Sequence, residues 1–108
     1  AHRLPNAGLG HQCSELHGHS FRIEIHIQGP VDSHKGWIID FADIDKAFGP
    51  LLDELDHKCL NDIEGLGNPT SENIALWIWR RLHPKLLQLN KIVVQEDLDS
   101  GCIYRGEK

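Results

Sequence analysis

From Phe21 to Ile27 the chain alternates: Phe21, Ile23, Ile25 and Ile27 are apolar, and Arg22, Glu24 and His26 between them are polar. A period of two predicts a strand, running from about residue 17 to 28 and closed by Gly29-Pro30. Gly36 to Ile39 predicts a second, short strand after a polar turn. The period then changes. Phe41, Ile44, Phe48, Leu51, Leu52 and Leu55 recur at helical spacing behind Asp40, which predicts a helix with Asp40 as its N-cap. Gly49-Pro50 predicts a kink in that helix or its division in two, because proline lacks the N–H the helix needs. Residues 56 to 69, rich in Gly, Asn and Asp, predict a loop. Pro69-Thr70-Ser71-Glu72 opens a second helix whose apolar stripe is Ile74, Trp77, Ile78 and Leu82. Lys91 to Glu96 and Gly101 to Arg105 predict a terminal hairpin turned at residues 97–100. The order of two strands, two helices and two strands predicts an α+β domain: an antiparallel four-stranded sheet with two helices on one face.

Composition narrows this picture. The 108 residues support one domain, spanning 1–108, and a second core would not fit. No apolar run approaches the roughly 20 residues that span a membrane, and no secretory signal is visible. Three scattered cysteines make no disulfide framework, which points to free thiols in a reducing cytoplasm. A formal charge of −5 argues against a nucleic-acid partner, although a local cluster can still bind an anionic small molecule. The chain begins Ala1-His2-Arg3 and contains no methionine. We therefore expect a truncated N-terminal strand, with His2 inside it.

The chemistry concentrates in Cys13-Ser14-Glu15-Leu16-His17-Gly18-His19. His17 and His19 share the parity of the apolar run. On an extended strand their rings would project from one face, roughly 6–7 Å apart at about 3.3 Å per residue. Two ring nitrogens could then converge on one metal ion, and His2 could supply a third, the arrangement of an open catalytic zinc. With eight histidines in the chain, however, a close pair also arises by chance. Asp56-His57 is open in the same way: a carboxylate can orient a ring, or His57 can simply meet the last carbonyls of a helix. Cys13 is either a small apolar filler or a thiolate beside a metal. Glu96 ends the row Ile92, Val94, Glu96, so its carboxylate lies either in water at a strand end or in a pocket.

Taken together these residues carry a resemblance. Ala1-His2-Arg3-Leu4-Pro5, the Cys13 to Phe21 segment, Gly36-Trp37-Ile38-Ile39-Asp40-Phe41, Leu55-Asp56-His57, Asn68-Pro69-Thr70-Ser71-Glu72-Asn73 and Gly101 to Gly106 resemble the 6-pyruvoyl-tetrahydropterin synthase superfamily over nearly the whole chain. Three residues between Cys13 and His17-Gly18-His19 resemble its bacterial 6-carboxy-tetrahydropterin synthase branch, which serves queuosine biosynthesis; the 6-pyruvoyl branch typically has four. A third branch has a glutamate at the cysteine position.

The resemblance implies a tunnelling fold, in which the sheets of several subunits join into a barrel and the sites form between subunits of a homo-oligomer. It implies zinc held by His2, His17 and His19, a catalytic Cys13 with Asp56 and His57 as partners, and Glu96 as the acid that anchors the pterin. The implied reaction turns 7,8-dihydroneopterin triphosphate into 6-carboxy-5,6,7,8-tetrahydropterin, acetaldehyde and triphosphate, with no redox cofactor. Two alternatives stay open: 6-pyruvoyl-tetrahydropterin synthesis without side-chain cleavage, and a non-catalytic zinc or pterin-binding module.

Overall fold

The computed structural model describes residues 1–8, 10–11 and 14–107. They form, in order, β1 (Arg22–Ile27), α1 (Phe41–Leu55), α2 (Ser71–Leu82), β2 (Leu89–Gln95) and β3 (Gly101–Tyr104), with single 3-10 turns at Pro5–Ala7 and Leu60–Asp62. β2 is central and antiparallel to both neighbours. Its register sets Ile23 and Cys102 beside Val94, and Ile25 and Tyr104 beside Ile92. One face of the sheet is therefore apolar, and α2 lies on it against β2 and β3, with α1 packed beside α2. Ile74, Ile78, Leu82, Ile92 and Val94 are the buried centre of that layer. Each such side chain contributes about 1.5–3 kcal/mol by leaving water. The opposite face carries Arg22, Glu24, His26, Lys91 and Gln95.

Both helices start where the sequence places their caps. The Asp40 carboxylate accepts from the Ala42 N–H at 3.0 Å. The Thr70 hydroxyl accepts from the Asn73 N–H at 3.2 Å. Each side chain satisfies one of the amides that a helix start leaves without a partner. α1 is not divided at Gly49-Pro50 but runs unbroken through Pro50. The missing bond frees the carbonyl of Lys46, which lies on the exposed side of the helix where water can serve it. Ala47, Leu51 and Leu55 are buried on the other side and hold both halves to the core.

The sheet has three strands among the described residues, not four. Gly36 to Ile39 forms bends rather than a strand. The Asp32 carboxylate draws in the amides of His34 and Lys35, and the Asp32 carbonyl accepts from Gly36. This tight turn leaves one strand-like bond, from the Asp32 amide to the Trp37 carbonyl, so no ladder develops. β1 is also shorter than its alternation predicts. His17 pairs with His2 as an isolated bridge, through reciprocal backbone bonds of 2.9 and 3.0 Å. The backbone groups of Arg3 point away from the His17 segment, as alternation along an extended chain requires, and bond to the side chain of Asn61.

Candidate metal centre

The isolated bridge sets His2 and His17 side by side, and His19 follows two residues on. The ligand-capable atoms of His2, His17 and His19 all lie within 4.8 Å of one another. His2 is fully buried. Its Nδ1 lies 2.7 Å from the Pro69 carbonyl oxygen. The Nδ1 of His17 lies 2.7 Å from the Glu15 carbonyl oxygen. A carbonyl only accepts, so each Nδ1 carries the proton and donates it. In the neutral rings both Nε2 atoms are then bare lone pairs, and they face each other at 3.0 Å.

That arrangement is poor as a hydrogen bond. One ring would need a second proton and a positive charge to donate to the other. Burial opposes this at His2 and holds its pKa below the ordinary histidine value, with the nearby imidazoles of His17 and His19 pushing the same way. The Pro69 bond and Glu96 pull upward, without reversing the shift. A cation between the lone pairs removes the conflict. Neutral imidazoles with their far nitrogens tied to carbonyls are the usual donors to zinc, at about 2.0–2.1 Å. The residues present fit such an ion.

Glu96 does not lie in open water past the strand end. Its carboxylate comes to 3.8 Å from His2 Nε2, and its side chain is 23 % exposed. The tight β2–β3 turn, with the Glu96 amide bonded to the Ser100 carbonyl at 2.9 Å, aims it there. A cleft of about 380 Å³ opens beside the cluster, bordered by His19, Phe21, Leu52, Asp56, His57 and others. The neighbours Asp56 and His57 do face each other, with Nδ1 3.0 Å from the carboxylate. His57 makes this turn with φ 58°, the one non-glycine residue with positive φ among those described. Such a conformation costs about 1–2 kcal/mol for an L-residue. The cleft brings this pair to His19 within a single chain. Cys13 lies outside the described residues. The carbonyls of Pro69 and Glu15 were not legible beforehand, because any residue type offers a carbonyl.

The fold and site define a small α+β domain with three imidazoles gathered beside a cleft, placed so that they could hold a metal ion. The chain belongs to the 6-pyruvoyl tetrahydropterin synthase family, whose description matches residues 1–107. It is 44% identical over 93 residues to a dihydroneopterin monophosphate aldolase of Pyrococcus furiosus, covering 83% of this chain and 78% of that protein. It is 40% identical over 112 residues to a 6-carboxy-5,6,7,8-tetrahydropterin synthase of Synechocystis sp., covering 96% and 84%. A solved structure of Caenorhabditis elegans 6-pyruvoyl tetrahydropterin synthase superposes with a TM-score of 0.89 at 26% identity, covering 98% of this chain and 87% of that one. No helix among the described residues is long and apolar enough to cross a membrane.

Proposed function

We propose that this protein is a zinc-dependent lyase converting 7,8-dihydroneopterin triphosphate to 6-carboxy-5,6,7,8-tetrahydropterin, acetaldehyde and triphosphate, in the cytoplasmic route to queuosine. The observation that carries the metal part is the pair of Nε2 lone pairs, fixed by two carbonyl bonds and facing each other at 3.0 Å. The spacing of Cys13 before His17-Gly18-His19 and the Synechocystis relative support this product.

His2, His17 and His19 would hold the zinc, which supplies Lewis acidity for oxyanions that develop on the substrate side chain. Cys13 takes a proton from the side-chain carbon next to the pterin ring. His57, turned by the Asp56 carboxylate, returns protons to the side chain. Glu96 accepts hydrogen bonds from the guanidine-like edge of the pterin. Phe21, Leu52 and Leu55 give the cleft apolar walls for the ring. The working assembly is a homo-oligomer of at least three chains whose sheets close into a barrel.

The Pyrococcus relative favours a second reading, aldol cleavage of dihydroneopterin monophosphate. One assay separates the possibilities. The zinc-loaded full-length protein is incubated with the triphosphate and, separately, with the monophosphate. Acetaldehyde with inorganic triphosphate supports the proposal. Triphosphate without acetaldehyde assigns 6-pyruvoyl-tetrahydropterin synthesis. A phosphorylated two-carbon aldehyde from the monophosphate assigns the aldolase. Zinc binding with no turnover of either leaves a binding module.

A further inference from the structure

The segment that carries His2 is held from outside by one side chain. The Asn61 carboxamide accepts from the Arg3 N–H at 2.8 Å and donates to the Arg3 carbonyl at 2.9 Å. It thereby does what a neighbouring strand would do, with one side-chain amide in place of a peptide group. The next residue back joins in, since the Leu60 amide donates to the Ala1 carbonyl at 2.7 Å. Residues on both sides of His2 are thus bonded to the 3-10 turn Leu60–Asp62, while His2 itself is bonded to His17.

We propose that Asn61 is a positioning residue of the metal centre. It fixes the backbone of Arg3, and through it the height and direction of the His2 ring, so that Nδ1 meets the Pro69 carbonyl and Nε2 meets the cluster. The contact is to backbone only, so the effect is on alignment and not on charge. It is the counterpart, one bond further out, of the groups that orient metal-bound histidines and whose loss typically costs about 10–100-fold in affinity. Asn61 stands 58 residues from Arg3 in the chain, so no spacing in the sequence announces the link.

This inference rests on the reading of His2, His17 and His19 as metal ligands, and the test keeps the two apart. Zinc affinity of the full-length protein is measured by chelator competition, and melting of the metal-free protein is followed in parallel. The variants are Asn61→Ala, Asn61→Asp and Asn90→Ala. Asn61→Asp keeps the acceptor for the Arg3 amide and loses the donor. Asn90 makes an exposed amide bond to Gln28 far from the cluster, and serves as the control. Asn61→Ala should lower zinc affinity by about 10-fold or more, Asn61→Asp by less, and Asn90→Ala not at all. If Asn61→Ala fails to fold, Asn61→Asp decides alone. Wild-type affinity in both Asn61 variants, or a loss of melting temperature with affinity unchanged, would make Asn61 an ordinary scaffold residue and overturn the inference. Absence of zinc binding by the wild type would instead overturn the metal centre itself.

Discussion

His2 and His57 are opposite kinds of imidazole in one small protein. His2 is fully buried, and both of its ring nitrogens are engaged, with the Pro69 carbonyl and with His17. His57 is 91 % exposed, and its Nδ1 meets the Asp56 carboxylate at 3.0 Å. The first is preorganised: its tautomer and direction are set before any ligand arrives. The second is oriented by one bond and a strained turn, and opens onto the cleft beside His19. A metal ligand needs fixed geometry, whereas a group that moves protons needs access to substrate.

The sharpest way to break this contrast is to remove a fixed imidazole. His17→Ala should lose zinc stoichiometry and lower turnover on the order of 10³-fold, the equivalent of several kcal/mol of charge stabilisation. Full metal content and activity in that variant would remove the histidine cluster from the site. Cys13→Ala should keep fold and zinc while turnover drops on the order of 10²-fold, as for loss of a general base. An unchanged rate would reduce Cys13 to packing.

The exposed pair should respond more gently. His57→Ala should slow turnover with zinc content intact, and Asp56→Asn should do so by less, about 10-fold, since it only misaligns the ring. The double variant should cost little more than His57→Ala alone, because the two act as a unit. Strict additivity would count against a relay. Mixing Cys13→Ala subunits with His57→Ala subunits should restore part of the activity, because some interfaces would contain both intact groups. No rescue despite measured subunit exchange would confine the site to one chain. Cys102→Ala should change least: its thiol is half-buried against the core, and burial pushes its pKa up, away from a reactive thiolate. Turnover should stay near wild type.

Much of the fold was legible in local chemistry. The caps Asp40 and Thr70, the stripe Ile74, Trp77, Ile78, Leu82, and the terminal hairpin all appear where the residues put them, because each depends on neighbours a few positions away. The departures arise where a distant or competing bond decides. Gly36 to Ile39 has strand-forming residues, but the Asp32 turn draws in the amides of His34, Lys35 and Gly36 and leaves a single strand-like bond to Trp37. Gly49-Pro50 reads as a break, yet burial of Ala47, Leu51 and Leu55 outweighs one missing hydrogen bond on the wet side of α1.

By itself the sequence determined the residue types that make a metal centre available: His17 and His19 two apart, with His2 near the start, and an acid beside His57. It also determined which faces of the helices and strands are apolar, since periodicity is a property of the chain. Only the tertiary structure decided which ring nitrogen of His2 faces the cluster. The Pro69 carbonyl lies 67 residues from His2, and a hydrogen bond across that distance exists only once the α2 start has docked against the His2 segment. Likewise only the fold brought Glu96 from the far end of the chain to His2, and opened Asp56 and His57 onto the cleft beside His19. Local pattern selects elements through short-range geometry. Sites join residues whose separation along the chain carries no energetic signal until packing closes the distance.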